Sequence, residues 1–457
     1  MEFELEFKGP RAKDLYKRYM KRIALGATIM SRGYPLVLDS AKGAIMKDVD
    51  GYEYIDFLST NLCCILGHCH PKVVKAVKEQ IEKLDYTYEI PHPTRVKLLE
   101  KIAEIAPGEL KEGKIVLSCS GSEVNEIARK IAIAYTGKFE IMSFFESYHG
   151  KLGALLGVTT FPSSVWNFGP RMPLVNVPYP YCYRCPFKMS YPECGLYCID
   201  FIEKMIYSAS AGSIAAAILE PIRGAMGCTT PPEDWFSKFK RLCDKFGILL
   251  IADEVQCAPA RTGKMFGCEH FGVIPDIITL SKNITSGLPI SVLIGKRDIV
   301  DSKIMRERAG MISSTMTGSP IPCAAALATL ETIIEEKLDE RAAKLGEYVR
   351  KRLEEMQEKY DIIGCLHGKG FLQSIELVKD RKSKEPAAEE AWQIIMEALK
   401  MGLYIGGSSY HAPPGTDLKV PQFIKIAPPL NIPKELLDKG LDILDRAISK
   451  VVKGRSN

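Results

Sequence analysis

Short apolar runs alternate with stretches of helical period from about Val116 to Leu280. KIVLS (114–118), FEIMSF (139–144), SIAAAILEP (213–221), ILLIAD (248–253) and PDIITLSK (275–282) are apolar along most of their length. Such runs suit strands covered on both faces. Between them, EVNEIARKIAIAYTG (123–137) and WFSKFKRLCDKFG (235–247) repeat apolar residues every three to four positions. Each reads as an amphipathic helix, and Gly137 reads as the stop of the first. The rhythm predicts an α/β fold with a mostly parallel sheet and helices on both faces.

Outside that region the pattern changes. Met172–Ser190 is rich in Pro, Tyr and Cys and reads as an irregular insertion. CAAALATLETIIEEKLDERAAKLGEYVRKRLEEMQEKY (323–360) reads as one long helical stretch, and LLDKGLDILDRAISKVV (436–452) as a final helix. GAIMKDVDGYEYIDFLS (43–59) predicts a hairpin turning at Asp50-Gly51. The expected organisation is a large domain over 60–325. A smaller α+β domain is built from both termini, 1–59 and 326–457, with the hairpin packed on the C-terminal part.

Composition adds limits. The chain carries 61 basic and 56 acidic residues, so nucleic acid is not expected as a partner. No apolar run reaches the length of a membrane span. The charged start, MEFELEFKGPRAKDLYKR, lacks a signal-like apolar stretch. A cytoplasmic protein is the expectation. Four of fourteen cysteines, Cys182, Cys185, Cys194 and Cys198, follow C-x2-C-x8-C-x3-C. A zinc knot, paired disulfides and four packed thiols all fit that spacing.

The chemistry concentrates at two strand ends. ILLIAD ends on Asp253, and PDIITLSK ends on Lys282. Ligands of open α/β sheets collect outside the carboxyl ends of strands. A lysine there can form an imine with the aldehyde of pyridoxal phosphate, while an aspartate keeps the pyridine nitrogen protonated. The loop Ser118–Glu123, between a strand and a helix, offers backbone N–H groups and hydroxyls to a phosphate. Its plainer role is a helix cap by Ser120 or Ser122. Tyr148-His149 follows the strand FEIMSF. Tyr148 could stack on a ring or be an ordinary core aromatic.

Several stretches resemble the class III (fold type I) aminotransferases that use pyridoxal phosphate. They are GYEYIDF with LGHCHPKVVKAV, SGSEVNE, SYHG, LEPIRG, IADEVQ…RTGKMFGCEHFGVIPDIITLSK, TGSPIPCAAALATLETI, HGKGFLQSIEL and IAPPL. The resemblance implies a seven-stranded type of sheet. It implies that Lys282 bonds the cofactor and moves protons, and that Asp253 pairs with the ring nitrogen. Gln256 would bond the ring oxygen, Val255 would pack behind the ring, and Tyr148, with His149 beside it, would stack in front. Ser120, Gly121 and Ser122 would hold the phosphate. Thr315 would reach the phosphate in a neighbouring subunit, which implies a homodimer with sites at the interface, with pairing into a tetramer left open. No metal is implied at the site.

Three positions depart from the family pattern. Lys425 stands where an arginine usually grips a substrate carboxylate, and it lacks the bidentate fork. Arg223 replaces the usual glutamine after Glu-Pro-Ile. It could supply the displaced guanidinium, bridge to Glu220, or lie on the surface. CAPA after DEVQ, with Pro259, suggests a stiffer loop. The expected reaction is amino transfer from an amino acid or amine to a 2-oxo acid, pyruvate or 2-oxoglutarate. The alternative is an amino-acid racemase or epimerase of the same family. A non-enzymatic binding protein is a third option, which intact Lys282, Asp253 and Gln256 oppose.

Overall fold

The computed structural model describes residues 6–27, 34–160, 173–407 and 420–454. Three sheets organise it. The first strands are β1 (Leu38–Lys42), β2 (Ile45–Asp48) and β3 (Glu53–Asp56). The central strands are β4 (Lys114–Ser118), β5 (Glu140–Phe144), β6 (Leu174–Val177), β7 (Ile214–Leu219), β8 (Leu249–Asp253), β9 (Ile277–Leu280) and β10 (Ser291–Gly295). The last are β11 (Ile363–Lys369), β12 (Leu372–Leu377), β13 (Leu403–Tyr404), β14 (Gly406–Gly407) and β15 (Gln422–Ile426).

The central sheet has seven strands in the order β4-β10-β9-β8-β7-β5-β6. Only β10 runs against its neighbours, so the other six end at one rim. β5, β7, β9 and β10 are buried at every position. One face packs on the helix Trp235–Phe246, where Trp235 and Phe239 stack at 4.9 Å. The other packs on the helix Gly121–Thr136 through Val124, Ile127 and Ile131. Ser120 caps that helix by accepting from Glu123 N–H at 3.3 Å. Gly137 ends it at φ 67°.

Two readings of the pattern need correction. The span Met172–Ser190 is not wholly irregular, because β6 lies within it (Met172 itself lies outside the described residues). As an edge strand with Asn176 inside it, LVNV has too weak an apolar signal to stand out. The long helical stretch is two helices, Pro320–Glu335 and Leu338–Lys359, broken at Lys337 with φ +48°. The first is apolar and largely buried, the second amphipathic. The break follows their different surroundings rather than any Gly or Pro.

The hairpin β2–β3 is present, and β13 adds to β3 in parallel, pairing Leu403 with Ile55. The sheet β11-β12-β15-β14 completes this second core, which is clustered around Ile375, Ile424 and Leu441.

Candidate active site

Asp253 closes β8 and faces Thr279 of β9, three positions before Lys282. Two adjacent parallel strands therefore deliver the carboxylate and the amine to one rim. Asp253 is 3% exposed and tightly held. Its Oδ2 accepts from Asn125 Nδ2 at 2.8 Å and meets His149 Nδ1 at 2.7 Å. Its Oδ1 accepts from Val255 N–H at 3.1 Å. Thr279 in turn donates to Asn125 Oδ1 at 2.6 Å. A buried carboxylate needs such partners, and here they fix its direction.

Lys282 begins a short turn after β9. Burial lowers its pKa first, and the nearby Lys425 ammonium lowers it further; Cys63, Glu220 and Asp253 pull the other way. These four groups therefore lie near it. Lys425 lies on β15, and its Nζ donates to Gln256 Oε1 at 3.3 Å. Gln256 fits because residue 224 is glycine, where an added Cβ would come within 2.5 Å of Oε1. Asn283 Nδ2 holds the Gln256 backbone carbonyl at 3.1 Å. Val255 closes over Gly121, where a Cβ would meet its methyl at 3.3 Å.

Tyr148 and His149 follow β5. The Tyr148 N–H donates to Glu220 Oε1 at 3.3 Å. Burial, then the charges of Asp253 and Glu220, raises the Tyr148 pKa. Glu220 is itself raised, chiefly by burial. Ser120, Gly121 and Ser122 form the first turn beside this pocket. Gly150 (φ +129°) leaves room for Ser122, whose Cα is 2.8 Å from where a Cβ would stand.

Two more of the expected residues have partners of their own. Arg223 is not on the surface, being 1% exposed, and its charge opposes the rise of the Glu220 pKa that burial causes. Its Nε donates to Thr229 Oγ1 at 2.9 Å, and one terminal nitrogen reaches the Phe145 carbonyl at 2.8 Å and Glu146 at 3.3 Å. It lies 4.4 Å from the Tyr179 ring centre. Thr315 is exposed, and its carbonyl accepts from Tyr86 Oη at 2.8 Å. Asn125 carries no cue in the sequence, where it looks like any polar residue of a helix. Gly224 and Cys63 are equally unmarked.

Cys182, Cys185, Cys194 and Cys198 are free thiols. Among the described residues, no three His, Cys, Asp or Glu side chains could hold a metal ion.

The profile described as "Aminotransferase class-III" matches residues 29–448. The chain belongs to the class III aminotransferases. It is 40% identical to a leucine/methionine racemase of Thermococcus litoralis, over 97% of both chains. It is 34% identical to a probable 4-aminobutyrate aminotransferase of Bacillus subtilis, over 92% of this chain and 94% of that one. The crystal structure of an aminotransferase from Bacillus anthracis superposes with a TM-score of 0.87 at 30% identity, covering 97% and 100%. This aminotransferase-family enzyme uses pyridoxal phosphate. Its residues fit that cofactor: a fixed buried carboxylate stands beside an amine with a lowered pKa, and a capped helix N-terminus opens nearby.

Proposed function

We propose that the enzyme transfers an amino group from an amino acid or amine to a 2-oxo acid in a ping-pong cycle. The observation that supports this most is the half-buried Lys282 amine, in the turn that follows the strand next to that of Asp253. When bound, pyridoxal phosphate supplies an aldehyde for the substrate amine and a ring that withdraws electrons from Cα.

The chain's own groups do the rest. Asp253 holds a proton at the pyridine nitrogen, and His149 and Asn125 hold Asp253. Lys282, uncharged more readily than an exposed lysine, takes the Cα proton and returns it. Val255 and Tyr148 flank the ring. Gln256 serves the ring oxygen, and Ser120, Gly121 and Ser122 with the helix N-terminus hold the phosphate. Lys425 receives the substrate carboxylate, with Glu220 at its side of the pocket. Arg223 braces the turn carrying Glu220. Thr315 serves the partner's phosphate in a homodimer. Among the described residues, no helix is long and apolar enough to cross a membrane. We place the enzyme in the cytoplasm and divide it at 59 and 325.

Racemisation is the second reading. The Thermococcus litoralis relative bears a racemase name and is the more similar of the two relatives above. Both reactions begin with loss of the Cα proton. They separate when single enantiomers are incubated with and without pyruvate or 2-oxoglutarate. Amino transfer requires the oxo acid and yields a new amino acid. Loss of enantiomeric excess without an oxo acid would replace our reading with the second. Lys282→Ala is expected to lower either activity at least about a thousandfold with the fold intact by circular dichroism. Normal turnover by that variant would sink the assignment of Lys282.

A further inference from the structure

Three of the stretches that resemble the family, GYEYIDF, LGHCHPKVVKAV and IAPPL, hold no residue given a role above. They meet at one turn. Ser59, Thr60, Asn61 and Leu62 follow one another at φ 47°, 43°, 60° and 70°. This is the left-handed region, where the Cβ of an L residue crowds the carbonyl oxygen that follows it. Residues other than glycine visit it singly as a rule, and of these four only Asn does so readily. A run of four persists only where the surroundings enforce it.

The neighbours do enforce it. Asp56 is buried just before the turn. It accepts from the Leu58 N–H at 2.9 Å, from Thr60 Oγ1 at 3.0 Å and from His68 Nε2 at 3.0 Å. The backbone of His68 is itself fixed by pairing with Gly43. Burial lowers the His68 pKa, but Asp56 and Cys64 outweigh it and raise the value to about 10, so the imidazole is cationic at neutral pH. At the start of the turn, Ser59 Oγ donates to the Ala427 carbonyl at 2.8 Å, and the Ala427 N–H donates to the Phe57 carbonyl at 2.7 Å. Ser59 Oγ also accepts from Arg261 Nη2 at 3.1 Å, and the same nitrogen donates to Asn283 Oδ1 at 3.4 Å. Asn283 follows Lys282, and Ala427 lies two residues after Lys425. Cys63, next after the turn, lies near the Lys282 amine.

We propose that the Asp56–His68 pair clamps this left-handed turn, and that the turn, through Ser59 and Arg261, fixes where Lys282 and Lys425 stand. His68 is then a positioning residue that touches neither cofactor nor substrate. The proposal rests on the assignment of Lys282 and holds for amino transfer and racemisation alike. Without the clamp the backbone relaxes to negative φ, and Ser59 Oγ leaves Ala427 and Arg261. The buried guanidinium loses an acceptor, and the lysine turn loses a brace. A displacement of about 1 Å at reacting groups can cost about a hundredfold in rate.

The test compares His68→Ala, which removes the clamp, with His68→Gln, whose amide nitrogen can still donate to Asp56. Deuterium exchange of the cofactor-free enzyme is followed by mass spectrometry. In His68→Ala, peptides covering 57–64 are expected to exchange at least about tenfold faster, while those from β7 and β8 keep their rates. In the same variant, kcat/KM for the amino donor is expected to fall about tenfold to a hundredfold at full cofactor content. It is measured in whichever reaction the single-enantiomer assay identifies. His68→Gln is expected to recover most of both losses. Unchanged exchange over 57–64 in His68→Ala overturns the clamp. Faster exchange throughout the chain overturns it too, since His68 would then serve the fold at large. Faster exchange confined to the turn, with kcat/KM unchanged, overturns the link to the two lysines. A His68→Gln variant no better than His68→Ala overturns the part given to the Asp56 bond. If His68→Ala does not fold, Thr60→Val, which takes only a hydroxyl from Asp56, is read by the same two measurements with the same directions expected. A wild-type enzyme without either activity would sink the reading of Lys282, while the exchange rates would still judge the clamp.

Discussion

Lys282 stands where an ammonium is poorly solvated, beside a second ammonium on Lys425. Its pKa is lowered in the fold, so the unfolded chain binds more protons at this position. Stability of the cofactor-free protein therefore rises with pH from the lowered value up to the ordinary 10.5. Lys282→Met removes that penalty. It is expected to melt at a higher temperature than the cofactor-free parent near neutral pH, with the gap shrinking as pH approaches 10. A gap that widens with pH would mean the amine is not held uncharged. Lys425 invites a second substitution. Lys425→Arg restores a planar fork, and KM for 2-oxoglutarate should fall roughly tenfold, about 1.4 kcal/mol, with kcat little changed. Steady-state kinetics with 2-oxoglutarate checks it; an unchanged KM removes Lys425 as the carboxylate contact.

At the scale of elements, five of the seven central strands were legible because they are apolar at nearly every position, while β6 and β10 were not read. Asp253 and Lys282 were legible because each ends such a run. What the pattern could not carry was partnership across distance. Asn125 reaches Asp253 over 128 positions. Arg223 is held by Tyr179 and Phe145, far away in sequence, which offer it a ring and a carbonyl. Arg261 is a stronger case. It is fully buried, and burial lowers its pKa to about 9. Its guanidinium donates to the Pro428 carbonyl, to Ser59 Oγ at 3.1 Å and to Asn283 Oδ1 at 3.4 Å. One side chain thus ties the N-terminal, central and C-terminal stretches beside the lysine turn. Arg261→Met strands those acceptors. It should cost at least about 3 kcal/mol in urea unfolding and weaken cofactor retention in the same variant. Unchanged stability would show that the three contacts are replaceable by water.

At the scale of the whole molecule, exposed apolar side chains gather around the Thr315 loop. Ile90 is 68% exposed, and Ile81, Tyr88, Val96 and Met316 join it. Arg95 ties the two segments together, donating to the Tyr88, Glu89, Thr317 and Gly318 carbonyls. Monomers seldom leave so much apolar surface in water, which supports the proposed dimer. Ile90→Asp is expected to shift the enzyme to a monomer in sedimentation and to lower specific activity with it. A fully dimeric Ile90→Asp would move the interface elsewhere.

Strand β3 finds its parallel neighbour β13 only near the other end of the chain, and Ser59 donates to Ala427 across 368 positions. Translation is therefore nearly over before that early segment can settle. Until then a nascent chain carries an open strand edge out of the ribosome, the kind of edge that chaperones shield and aggregates exploit.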